Sequence, residues 1–188
     1  MKRLIIIIAC VVGGLALLIG LMALVGSRLP KAHVASRSIL LHSSPLEVYT
    51  VLRDFGSAPQ WRPDVKRIEV EPQQRGPVYF REVGNNGTVN YELTEDVPAR
   101  RMVTRIRDTD LGYSGQWTYT LVAENGGTRV TIREDGEISN VLFRFMSRYF
   151  FGETATLDSY LTSLAKHFGE DARPQSNQAN SSTIRGDH

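Results

Sequence analysis

Thiol and metal chemistry have little to work with in this sequence. Of 188 residues one is cysteine and four are histidine. Neither Cys-x-x-Cys nor His-Glu-x-x-His occurs. The single cysteine, Cys10, lies inside an apolar run, so the rest of the chain has no thiol nucleophile and no disulfide to report its compartment. His33, His42, His167 and His188 stand far apart, without partners at metal-ligand spacing. Gly-x-Ser-x-Gly, the phosphate-binding loop and the dinucleotide fingerprint are also missing, so no catalytic residue, metal or cofactor is assigned. Charge is scarce in excess: 22 Lys and Arg face 20 Asp and Glu, a net of +2. The basic residues are dispersed rather than gathered into a stripe with interleaved aromatics, which argues against a nucleic-acid partner.

What the sequence does have begins at once. Residues 4–25, LIIIIACVVGGLALLIGLMALV, carry no charge. As a helix this run spans roughly 33 Å, enough for the ~30 Å hydrocarbon core of a bilayer. A signal peptide has a shorter apolar region and a small-residue cleavage site, and "LVGSRLPKA" offers no good one. Residues 1–27 are therefore expected to be a retained single-pass anchor and 28–35 a linker. Lys2 and Arg3 precede the span while Arg28, Lys31 and Arg37 follow it, nearly a tie for the positive-inside rule. With so little chain ahead of the helix, the N-terminus is placed in the cytoplasm and the domain outside it. Ala9, Gly13, Ala16, Gly20, Ala23 and Ser27 form a small-residue stripe through which the span can form a homodimer. At the other end, residues 170–188 are polar and aperiodic and are expected to be disordered. One domain remains, over 36–169.

Within it, "ASRSILLHS" reads as a strand and Ser44-Pro45-Leu46-Glu47 as a capped helix start, followed by a stripe of Val48, Val51, Leu52 and Phe55. Pro59 and Pro63 bracket Trp61. Alternating runs follow, two of them joined at Asn85-Asn86-Gly87 and two at Asn125-Gly126-Gly127, both hairpin signals. Trp117, Tyr119 and Leu121 share a face, as do Val130 and Ile132, while the opposite faces are polar, as in an antiparallel sheet covered on one side. A helical pattern from about Asn140 to Phe168 closes the domain, with Leu157, Tyr160, Leu161, Leu164 and Phe168 as its stripe and Gly152 as a point of kinking or division.

"SILLHSSPLEVYTVLRDFGSAPQWRPDV" and "GQWTYTLVAENGGTRVTIREDGEI" resemble the opening and the final hairpin of the START-like helix-grip superfamily, the polyketide cyclase/dehydrase and lipid-transport proteins. The resemblance covers about residues 34–169. It implies an α+β fold, a curved antiparallel sheet of about seven strands around a long C-terminal helix, enclosing a tapered space. Trp61 would close one end of that space or plug the core. Phe80, Tyr91, Trp117, Tyr119, Ile132, Leu142, Met146 and Tyr149 are the expected apolar lining. Glu134 and Glu82 are in phase with inward residues, although the strand end before Asp135 can turn Glu134 to water. The stretch 141–151 has more large apolar residues than one buried face needs, leaving Phe143, Phe150 or Phe151 nearer a mouth or surface. A membrane-anchored binder of a hydrophobic small molecule or lipid follows from this inventory. The alternatives are a cyclase or dehydratase using Glu134 or Glu82 as base, and an adaptor whose cavity is merely a core.

Overall fold

A computed structural model describes residues 2–72, 76–85, 87–152 and 154–176. Asn86 of the first turn, the Phe151 side chain and the tail from 177 onward lie outside the described residues. The order of elements is helix α1 (Lys2–Arg28), strand β1 (Ala32–Leu41), helix α2 (Pro45–Arg53), a 3-10 turn (Phe55–Gln60) and strands β2 (Val65–Val70), β3 (Val78–Gly84), β4 (Gly87–Val97), β5 (Arg101–Ile106), β6 (Tyr113–Glu124) and β7 (Gly127–Ile138). Helix α3 (Val141–Met146), a π-helical turn (Ser147–Phe151), helix α4 (Ala155–His167) and strand β8 (Gln175–Ser176) complete it.

β2 to β7 form an antiparallel meander, β1 joins beside β7, and β8 adds to β1, giving the order β2-β3-β4-β5-β6-β7-β1-β8. The β6–β7 turn is tight because Asn125 and Gly126 both take positive φ, 50° and 78°, matching the twist of the flanking strands. α2 starts as its sequence signals. The Ser44 side chain accepts from the Glu47 backbone, the Glu47 carboxylate accepts from the Ser44 backbone, and Pro45 fills the first turn.

The core lies between the sheet and α4. Leu157, Leu161 and Leu164 are fully buried, against Ile39, Leu41, Val130 and Ile132 at 0 to 1% exposure. Burying each such side chain is worth about 1.5–3 kcal/mol. Polar contacts seat α4 and the residues after it on the middle of β1 and just past its end. Arg37 Nε meets Asp158 at 2.8 Å, and the Glu170 carboxylate accepts from the His42 backbone at 2.9 Å.

The expected helix-grip fold is present, with three differences. First, the sheet has eight strands, because residues 170–176 are not free: Ala172 packs on the core, and Gln175 and Ser176 pair with Ser38 and Arg37. Their polarity conceals this, since an edge strand needs only backbone partners. Second, the division of the C-terminal helical pattern, one of the two outcomes expected at Gly152, whose φ of 77° suits glycine, shortens the helix that the grip holds. Only its second part, α4, fills the grip. Third, the linker shrinks to residues 29–31, because β1 starts at Ala32. α1 then docks on α3: a Cβ at Gly26 would lie 2.0 Å from the Val141 carbonyl oxygen. Arg144, buried, donates to the Leu29 carbonyl at 2.8 Å and to that of Ser139 at 3.1 Å.

Candidate functional site

Register decides which side chains look into the grip. Ala35 faces Glu134, Glu134 faces Trp117, and Trp117 faces Thr104, so these four share the inner face with Ile132 and Tyr119 one pair further on. On the next strands Tyr91 faces Phe80 and Glu82 faces Val89. Burial along this face is uneven. At the end near α2 the inner residues are sealed. At the end from which α1 departs, His33, Glu134, Trp117, Tyr91, Ile106 and Tyr113 point inward yet stay partly accessible. Inward-facing side chains that solvent still reaches border open space.

Between the two ends stands an aromatic cluster centred on Tyr160 of α4. Trp61 meets its ring edge-on at 5.3 Å, Trp117 edge-on at 5.5 Å and Tyr119 tilted at 5.9 Å. Phe80 stacks on Tyr91 at 5.1 Å and on Phe55 at 4.1 Å. Such offset and edge contacts are the favourable ones for aromatic quadrupoles. The middle of the grip is thus occupied by side chains. Two surface depressions, of about 450 and 470 Å³, are lined mainly from the rims and the outer side of the sheet, by residues such as Val34, Arg105, Gln116 and Asp135 in one and Thr120 and Val122 in the other.

Beside the cluster lies a buried charge pair. Arg62 Nη1 donates to Glu82 at 2.7 Å and Nη2 at 3.1 Å, a fork-to-carboxylate geometry. Nη2 also reaches Asp64 at 2.7 Å. The guanidinium carbon sits 5.0 Å from the centroid of Tyr160, over its ring. Burial works against the Arg62 charge, but Glu82, Tyr160 and Asp64 together outweigh it and raise its pKa, so the group is held cationic. Arg62 Nε and Trp61 Nε1 are buried donors without a protein partner among the described residues.

Four tyrosines surround this pair. Burial, then the Glu82 charge, raises the Tyr91 phenol; burial raises Tyr113, with Asp108 and Glu82 adding to it. Burial pushes Tyr119 up to about 12 although Arg62 and the Thr104 and Tyr160 hydroxyls oppose it. Tyr160 rises further, from burial and then from Tyr119, to which it donates. Unfolded tyrosine titrates near 10. From about pH 10 to 12 the unfolded chain releases protons that the folded one keeps, so stability is full below about pH 10 and falls as pH rises, by up to about 1.4 kcal/mol per unit for each such group. We expect Tyr119 and Tyr160, the two buried phenols of the four, to ionise only as tertiary structure is lost, in a titration that follows phenolate absorbance and near-ultraviolet dichroism together. All seven tyrosines ionising near pH 10 with the dichroism intact would contradict the burial of this cluster.

The structure gathers Trp61, Phe80, Tyr91, Trp117, Tyr119, Ile132 and Glu134 on the grip's interior. Trp61 is 9% exposed, and Phe80, Tyr119 and Ile132 are buried as well. Glu134 faces inward and lies 3.4 Å from His33 Nε2. Leu142, Met146 and Tyr149 are a correction. They belong to α3, which packs against α1, and to the turn after it, and Leu142 and Tyr149 are 36% and 58% exposed. The face of α3 that meets α1 is that of Val141 and Phe145, so the expected stripe covers neither the sheet nor α1. Arg62, Tyr160 and His33 are the site members that sequence reasoning missed as such. His33 was signalled by parity with Ala35 and Ile39, and Tyr160 by the helix stripe. Nothing local marked Arg62. Among the described residues no three His, Cys, Asp or Glu gather as a metal site.

A family model described as polyketide cyclase / dehydrase and lipid transport matches residues 32–169. The chain belongs to that family. Solved structures share the family's fold. A START superfamily protein from Mycobacterium smegmatis superposes with a TM-score of 0.54 at 13% identity, over 72% of this chain and 96% of that one. A truncated norcoclaurine synthase from Thalictrum flavum gives 0.59 at 11% identity, over 73% and 93%. The di-domain aromatase/cyclase StfQ of the steffimycin biosynthetic pathway gives 0.57 at 14% identity over 73% of this chain, which spans 52% of StfQ. No curated protein matches the chain. At these identities the likeness shows the fold, and two of the three neighbours are named for enzymes and one for a fold superfamily. The family therefore leaves the choice of chemistry to the site.

Proposed function

We propose that the domain binds a hydrophobic small molecule or lipid at the open end of its grip, held beside a bilayer by α1. The observation that carries this reading is the set of inward aromatic residues, Trp117, Tyr91 and Tyr113, left accessible at the end from which α1 departs. α1 has the length and apolarity of a single membrane span, features it shares with a signal sequence. Binding would proceed by partition: an apolar molecule leaves the bilayer and covers these rings, gaining about 25 cal/mol per Å² of apolar surface removed from water. Arg62 Nε and Trp61 Nε1, buried donors without a protein partner among the described residues, suit a carbonyl, hydroxyl or acidic group at its inner end.

The test is mass spectrometry of an organic extract of the full chain purified from membranes. One apolar species should be enriched over the bulk membrane lipid, and Trp117→Ala should reduce it about tenfold, the equivalent of ~1.4 kcal/mol of lost aromatic contact. An extract that matches bulk lipid for both proteins would refute the binder.

The Arg62–Glu82 pair favours a second reading, an enzyme of the cyclase or dehydratase type. Raised phenols at Tyr91 and Tyr160 stay protonated at neutral pH and can donate to a carbonyl. Glu82 serves as a base only if a substrate displaces the guanidinium that now occupies both of its oxygens. Chemical conversion of the enriched species on incubation, abolished by Glu82→Gln, would select this reading over simple binding.

A further inference from the structure

α1 is exposed along nearly its whole length, but Met22 and Ala23 are partly covered and Gly26 is buried. These three lie on one helix face, at spacings of three and four. The covering element is α3, whose Val141 carbonyl and Phe145 Cβ would meet any side chain at position 26. Arg144 fixes the junction through the Leu29 carbonyl, and the Asn140 side chain caps the start of α3 by accepting from the Phe143 backbone at 2.9 Å. α3 is therefore held against the last two turns of the apolar helix.

That position sets a depth. The run of large apolar residues ends at Val25, with Arg28 and Lys31 just beyond. Met22 lies about 4.5 Å back along the helix from Val25. An element packed at the level of Met22 to Gly26 sits at the boundary between headgroups and acyl chains. At that level it exposes Phe143, Tyr149 and Phe150, at 40%, 58% and 67%. Phe145 packs beneath them, 4.9 Å from Tyr149 and 6.1 Å from Phe150. Large aromatic side chains turned to water are unfavourable, whereas aromatic rings are enriched at this level of a membrane.

Resting on the reading that α1 is retained as an anchor, we propose that residues 141–150 form an interfacial element, with Phe143, Tyr149 and Phe150 seated in the bilayer surface beside α1. The Phe143 ring lies 5.9 Å from that of Tyr113, which belongs to the open end of the grip. Seating the element brings that opening down to the lipid. A ligand then passes between bilayer and grip along a continuous aromatic surface, without crossing water.

The experiment uses the full chain in phosphatidylcholine vesicles, with Cys10→Ser and one new cysteine carrying an environment-sensitive fluorophore. A label at Phe150→Cys should shift to the blue and be quenched by lipids spin-labelled near the headgroup. A label at Asn125→Cys, in the turn at the other end of the sheet, should not. A label at Leu17→Cys reports the anchor itself and should be quenched by lipids spin-labelled deep in the chain. Gly26→Leu forces α3 away from α1, and should at least halve the quenching at 150 while leaving that at 17 unchanged. Deep quenching at 17 with none at 150 overturns this proposal and leaves the anchor standing. Absence of quenching at 17 overturns the anchor, and the proposal with it. Full quenching at 150 in the Gly26→Leu protein shows that α1 does not set the depth and overturns the docking argument.

Discussion

Arg62→Met is expected to destabilise the domain by about 3–5 kcal/mol, a large share of the roughly 5–15 kcal/mol that holds a typical domain together. The two side chains of the pair are 12% and 16% exposed, so water screens them poorly. Removing the guanidinium leaves the Glu82 carboxylate among Tyr91, Tyr113, Tyr119 and Tyr160 with its strongest partner gone. Methionine fills much of the same volume, so the loss is mainly electrostatic. The double substitution Arg62→Met with Glu82→Leu removes both charges and should recover most of the stability, because replacing a whole buried pair by apolar groups is often nearly neutral. Urea unfolding of the full chain in detergent, followed by tryptophan fluorescence, gives both values. Equal losses in the single and double variants would mean that Arg62 acts through packing on Tyr160 rather than through Glu82. The double variant has a second use. A folded protein without the pair should still take up a purely apolar probe, and should bind more weakly any ligand whose polar group is held at Arg62.

The fold was legible because its main signals are local. Ser44-Pro45 with Glu47 starts α2, Asn125-Gly126 turns the last hairpin, and Trp117, Tyr119, Val130 and Ile132 alternate as strand residues do. Those signals also place Phe80, Tyr91, Trp117, Tyr119 and Ile132 on the inner face without any knowledge of their partners. The site's polar half was not legible in the same way. Arg62 is buried because Glu82 reaches it from a strand twenty residues later in the chain, and a chain-local pattern carries no trace of that pairing. By sequence His33 falls in a linker, because the apolar span invites a spacer after it, whereas β1 begins directly and Gly136 leaves the room that the His33 ring occupies. α3 shows the converse. Its helical spacing is legible, but which face is covered is not: Val141 and Phe145 meet α1, while Leu142 and Tyr149 stay exposed. Identity of the covering surface is a long-range property.

Trp61→Ala separates the two roles open to this residue, a wall of the binding space or a plug in the core. The indole is 9% exposed, with Tyr160 edge-on at 5.3 Å and the His167 ring at 6.1 Å. Truncation removes a large apolar group from a packed interior and should cost about 3–5 kcal/mol. If Trp61 is a wall, the space it vacates joins the open end past Tyr160 and Trp117. The variant should then bind bulkier apolar probes than the parent, and a bound probe should return part of the lost stability, about 2.7 kcal/mol at a hundredfold excess over its dissociation constant. If Trp61 is a plug, the vacated space stays cut off from the open end and no probe restores the loss. The readout is the urea midpoint of the variant with and without a saturating apolar fluorophore, against Leu161→Ala as reference. Leu161 is fully buried between α4 and the sheet, so its truncation should cost about 2–5 kcal/mol and respond to no probe. Recovery in Trp61→Ala alone assigns the indole to the wall. Recovery in neither assigns it to the core, and recovery in both would mean that the grip loosens as a whole when any interior side chain is lost.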